Sequence, residues 1–102
     1  MQEEKKQPVE IKVDIDEETA KGKYSNLAMI SHSESEFVLD FMFFHPQTSK
    51  NVKVVSRVIV PAVHAKKLAA ALLDNVQKYE KKYGQIKEPV VQDNEPKPKY
   101  YN

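Results

Sequence analysis

The sequence has no cysteine, only two glycines and no long apolar run. Without cysteine there are no disulfides, no thiolate metal sites and no thiol nucleophiles. With glycine confined to positions 22 and 84, the phosphate-cradling G-x-x-x-x-G-K-[ST] and G-x-G-x-x-G loops and the G-x-S-x-G nucleophile elbow are all missing, and H-E-x-x-H is missing too. No stretch approaches the roughly 20 apolar residues that span a bilayer. The opening MQEEKKQPVE carries no apolar leader core. These absences predict a soluble, cytoplasmic protein that is not an enzyme, needs no cofactor and does not enter a membrane.

What is present fits one small domain. The chain has 102 residues, 40% of them apolar and 30% charged, an ordinary globular balance with room for one modest core. Net charge is +1, yet the halves differ. Residues 1–49 hold five Lys against ten Asp/Glu, a net of −5. Residues 50–102 hold eleven Lys/Arg against five Asp/Glu, a net of +6. That polarity suits a partner, or the meeting of acidic and basic faces of two copies. Residues 1–8 and the Pro/Lys/Tyr-rich stretch 88–102 read as disordered tails around a domain at 9–87, because neither holds enough apolar surface to offset its ordering entropy.

Four strands and a helix are expected. Val9, Ile11, Val13 and Ile15 alternate with Glu10, Lys12 and Asp14, the pattern of a half-buried edge strand. A helical turn follows, with Asp16 as N-cap and Gly22 as its end. Residues 24–31, 36–45 and 51–60 read as three more strands, separated by the turn formers SHSES and PQTSK. Ala65, Leu68, Leu72, Val76, Tyr79 and Tyr83 recur at helical spacing. Pro61 suits the first turn and Gly84 an αL stop, so the spacing predicts a helix over 61–83. The fold class is therefore α+β: a four-stranded antiparallel meander followed by one long C-terminal α-helix.

A tight hairpin at SHSES sets Ser31 against Glu36, Met29 against Val38 and Leu27 against Asp40. The next turn sets His45 against Val52 and Asp40 against Arg57. Both sheet faces then come out mainly apolar, while one helix covers one face. A second copy related by a two-fold axis is the simplest cover for the other, so a homodimer is expected. Asp40, set among Phe37, Leu39, Phe41 and Phe43, would be costly to bury alone. An ion pair with Arg57 on the dimer-facing side resolves this and lends register or partner specificity.

Other constellations are weaker. His32 and His64 fall at one end of the sheet near Glu34 and Glu36, a set that could hold zinc, although loop histidines are usually solvated. Asp14, Asp16, Glu17 and Glu18 form an acidic cluster, but an EF-hand loop counted from Asp14 would need Gly and Glu where Thr19 and Ser25 stand. Helix capping explains the cluster instead. Lys50, Lys53, Lys66, Lys67, Lys78, Lys81 and Lys82, with Arg57, make a basic strip beside an aromatic-rich sheet, as single-strand nucleic-acid binders use. Four strands followed by a helix also resemble the layout of the PUR repeat, a single-strand-binding module. Those aromatics are explained as economically by core packing, and the helix lysines by a solvated face.

Residues Tyr24 to Ile86 resemble a family of small bacterial and archaeal proteins known as domain of unknown function 3467. The carrying residues are Tyr24-Ser-Asn26, Glu36-Phe37-Val-Leu39-Asp40-Phe41, Ser56-Arg57-Val-Ile-Val-Pro61 and His64-Ala65-Lys66. Asn75 and Tyr79-Glu80 through Gly84-Gln-Ile86 complete the set. The resemblance implies a stand-alone small domain with no assigned activity, cofactor or site, and it marks Asn26, Asp40, Arg57, His64, Asn75, Tyr79, Glu80 and Gly84 for testing. Two functions fit these observations: a dimeric protein-interaction or adaptor module, with 88–102 as an extended recognition segment, or a single-stranded nucleic-acid binder.

Overall fold

A computed structural model describes residues 8–45, 47 and 51–88. The elements in chain order are α1 (Glu17–Ala20), β1 (Leu27–His32), β2 (Glu36–Met42), β3 (Val54–Pro61) and α2 (Ala62–Tyr83). The strands form one antiparallel sheet in the order β1-β2-β3, and α2 contacts β2 and β3. This is an α+β meander-then-helix arrangement, with three strands among the described residues where the alternation predicted four. No helix among them is long and apolar enough to cross a membrane. The tails expected at 1–8 and 88–102 lie, apart from Pro8 and Glu88, outside the described residues.

The missing strand is Val9–Ile15. Its alternation is intact, but it pairs with no strand among the described residues, and Val9, Ile11, Val13 and Ile15 are 83%, 80%, 85% and 66% exposed. Alternation states which face a strand would bury; it does not supply a neighbouring strand with free backbone groups.

Local signals set α1 and α2. Asp16 has extended dihedrals and its Oδ2 accepts the Thr19 amide at 3.1 Å, while Glu17 and Glu18 occupy the first turn. Hydrogen bonding from Thr19, its hydroxyl first and then its amide, holds the Asp16 carboxyl below its usual value of 3.8. Gly22, at φ +73°, ends the segment and donates its N–H to the Thr19 carbonyl. Helix α2 starts at Ala62, one residue later than expected: Pro61 is its extended N-cap and the last residue of β3 rather than part of the first turn, and the helix ends at Gly84 with Lys81 and Lys82 in the last turn. Gly84 has φ +94° and ψ 168°. It therefore ends the helix from the glycine-only extended region rather than the αL conformation expected of it.

The hairpin between β1 and β2 is tighter than the sequence suggested. Ser31 faces Val38, Met29 faces Asp40 and Leu27 faces Met42, two residues away from the expected register. Ser33 causes the change: its N–H donates to the Glu36 carbonyl at 2.9 Å, and its Oγ accepts the Glu36 amide at 3.3 Å. A hydroxyl replaces one main-chain carbonyl and shortens the loop. Because the slip is even, the β1 and β2 side chains keep their expected faces relative to each other. Between β2 and β3, Asp40 faces Arg57 and Phe37 faces Val60, but a bulge at Phe41/Met42 sets Met42 against Val54 instead of Val55.

Little of this surface is covered. Met42, Val60 and Asp40 are the buried side chains among the described residues, and α2 contributes none. Along the predicted helix stripe, Ala65 and Val76 are half-buried, while Leu68, Leu72, Tyr79 and Tyr83 are exposed. The helix touches the sheet without spending its apolar face on it.

Candidate functional site

The centre of the sheet is an ion pair. Asp40 sits mid-β2 between Met29 of β1 and Arg57 of β3. Arg57 Nε donates to Oδ1 at 2.7 Å and an Nη to Oδ2 at 2.9 Å, the two-pronged geometry that suits a planar guanidinium and a carboxylate. The Asp40 side chain is 0% exposed and that of Arg57 55%. The guanidinium thus roofs a buried carboxylate while its outer side meets solvent. Desolvation would raise the cost of charge on Asp40, and two charge-assisted hydrogen bonds offset it. This arrangement orients a cation at the sheet surface.

At one end of the sheet, side chains continue the ladder where backbone pairing stops. Asn26 Nδ2 donates to the Phe44 carbonyl at 2.8 Å, and the Phe44 amide donates to Asn26 Oδ1 at 2.7 Å. The carboxamide makes the same two-way exchange that a peptide group makes in an antiparallel pair. Ser25 Oγ bonds the Leu27 and Met42 carbonyls. Nearby, Tyr24 meets Phe43 edge-on at 5.6 Å, and Phe43 lies 6.4 Å from His45. Tyr24 and Phe43 both remain exposed.

The other marked positions do structural work within α2. Asn75 Nδ2 donates to the Ala71 carbonyl one turn back. Tyr79 packs on Tyr83 at 5.0 Å. Glu80 closes the helix end: its carbonyl accepts the Gly84 N–H and its Oε2 accepts the Ile86 amide at 2.8 Å. His64 is exposed in the first turn. His32 stacks on Phe37 at 5.3 Å, and among the described residues no three His, Cys, Asp or Glu side chains are grouped to hold a metal ion.

The lysines are spread rather than clustered. Lys66 and Lys67 are in the first turns of α2 and Lys81 and Lys82 in its last, about 22 Å apart along the axis at ~1.5 Å per residue. Lys78 pairs with Asp74 at 3.0 Å, and the Lys82 ammonium lies 5.2 Å from the centre of the Tyr83 ring. Lys53 is exposed just before β3, and Lys50 lies outside the described residues. Sequence reasoning missed the Asn26 clip and the Glu80–Ile86 contact. An asparagine beside a strand and a glutamate ahead of a glycine stop were the signals available.

The architecture defines a small α+β protein built on a three-stranded antiparallel meander, a C-terminal helix and a roofed carboxylate at the sheet centre. The chain belongs to a family described as "Protein of unknown function (DUF3467)", whose model matches residues 1–88. Comparison with curated proteins and with solved structures gives no match.

Proposed function

We propose that this is a cytoplasmic, non-enzymatic protein that works as a homodimer and serves as a protein-interaction or adaptor module. The observation carrying this reading is the apolar surface that one copy leaves open. Two apolar side chains are buried among the described residues, while Ile30, Ile59, Leu72 and Leu73 are each more than half exposed. Full burial of such a side chain contributes about 1.5–3 kcal/mol. Because each is already partly buried, about half of that remains to be gained, and the four on each of two copies together give roughly 6–12 kcal/mol, within the range of an association cost of roughly 4–15 kcal/mol. The Asp40–Arg57 pair would then supply direction at the sheet face, where apolar contacts alone are indifferent to orientation.

A second reading is a single-stranded nucleic-acid binder. Exposed Tyr24 and Phe43 offer ring faces for base stacking next to Lys23, with Lys53, Lys66 and Lys67 as further phosphate contacts. Native mass spectrometry of the protein purified gently from its host at low salt separates the two. A dimer mass carrying a stoichiometric protein supports the adaptor. Heterogeneous, nuclease-sensitive mass, with binding that weakens steeply as salt rises, supports the nucleic-acid reading. A bare monomer at all concentrations would sink the homodimer.

A further inference from the structure

Among the described residues, the sheet has one guarded edge and one open edge. Ser33 and Glu36 form a hydrogen-bonded step, so in the antiparallel alternation Ser31 and Met29 also turn their N–H and C=O groups toward β2. Ala28, Ile30 and His32 therefore aim theirs outward, along the free side of an edge strand. The other edge is β3. The Ala62 N–H donates to the Ser35 carbonyl, which by the same alternation turns Arg57, Ile59 and Pro61 outward. Pro61 has no N–H to offer, and Lys23 Nζ occupies the Val55 carbonyl near the start of that strand at 3.2 Å. Proline and lysine are the devices that discourage strand addition. The β1 edge carries neither.

The same chain holds a segment shaped for such an edge. Val9–Ile15 alternates apolar and charged residues over seven positions, with all four apolar side chains largely exposed. As a strand it would span about 23 Å at ~3.3 Å per residue, close to the roughly 20 Å of six-residue β1. Its own sheet is poorly placed to receive it there. The groove beside α1 is lined by Glu18, Thr19 and Lys23 on one side and by Phe41, Ser56 and Val58 on the other. Lys23 Nζ, bonded to the Val55 carbonyl, ties the chain just after α1 to the β3 side of the sheet, away from the outer edge of β1. The open edge of β1 lies on the far side of the sheet.

We propose that residues 9–15 of one copy add as a fourth strand to the outer edge of β1 in a second copy, reciprocally about a two-fold axis. The proposal rests on the homodimer reading and names the backbone that makes it. It restores the four-stranded sheet that the alternation predicts, with the fourth strand supplied in trans. It also gives the outward groups of Ala28, Ile30 and His32 partners, and places Val9, Ile11, Val13 and Ile15 against a neighbouring strand.

Residue-resolved hydrogen exchange of the full chain tests this, with native mass recorded on the same sample and Val13→Pro and Lys12→Pro as the comparisons. Expected is a dimer in which the Ala28, Ile30 and His32 amides exchange on the order of a hundredfold slower than unpaired peptide. Of Val13→Pro and Lys12→Pro, the one whose N–H faces β1 should return them toward the unpaired rate and leave the internal Leu39 amide protected, which shows that the sheet still folds. A dimer whose three amides exchange at the unpaired rate overturns strand addition while the homodimer stands. Amides equally slow in both Val13→Pro and Lys12→Pro also overturn it, since one of the two prolines must remove an N–H facing β1 and other backbone must then cover the edge. A monomer at all concentrations removes both.

Discussion

Asp40 and Arg57 face each other across β2 and β3 with both carboxylate oxygens held, at 2.7 and 2.9 Å, by one guanidinium. Arg57→Ala leaves the carboxylate buried without this compensation. The expected loss is about 2–4 kcal/mol, below the largest values for fully buried pairs because the outer side of Arg57 is solvated. The double variant Asp40→Asn/Arg57→Gln should recover more than half of it, since a neutral amide is cheaper to bury. Urea unfolding of the single and double variants reads both. A double variant that folds and dimerises like wild type would rule out the pair as a source of partner specificity.

Asn26 stands in for a peptide group, and its removal should open the end of the ladder. Asn26→Ala is expected to cost about 1–2 kcal/mol through two lost hydrogen bonds to Phe44. Asn26→Asp keeps the acceptor for the Phe44 amide and loses the donor to its carbonyl. Faster exchange of the Phe44 amide in the alanine variant than in the aspartate variant checks the assignment.

Gly84 stops α2 at φ +94° with nothing within 4 Å of where a Cβ would sit. Gly84→Ala therefore meets no neighbour and suffers from its backbone alone, at about 1–3 kcal/mol. Glu80→Ala should free the Ile86 amide without that strain. Thermal unfolding separates the strained variant from the merely uncapped one, and exchange at Ile86 reports on both.

The Asp16 cap is pH-dependent. Its folded carboxyl lies below the ordinary 3.8 because Thr19 hydrogen-bonds it. The contribution is therefore fully present above the unfolded value and is lost as pH falls through the lowered folded one. A carboxyl titration by NMR should place Asp16 below the ordinary aspartate value of 3.8, and the Thr19 amide shift should move with it. Asp16→Ala should abolish the Thr19 response.

What could be read from the sequence was local or periodic. The bounds of α2 follow from Pro61, a 3.6-residue apolar rhythm and Gly84, all acting within one turn of the residues they govern. The Asp16 cap is a contact three residues long. Strand parity survives any even slip, which is why the β1 and β2 side chains kept their faces relative to each other although the β1–β2 register moved by two. The tertiary structure decided whatever required a distant partner. The Ser33 hydroxyl shortened the hairpin, the Phe41/Met42 bulge displaced Val54, and the carboxamide of Asn26 found Phe44 eighteen residues away. Above all it decided the fate of Val9–Ile15, whose alternation declares a strand but cannot provide an edge to join. Helical hydrogen bonds close within a segment, so a short sequence can specify them. Strand hydrogen bonds close between segments, and nothing inside a segment says which edge will be open.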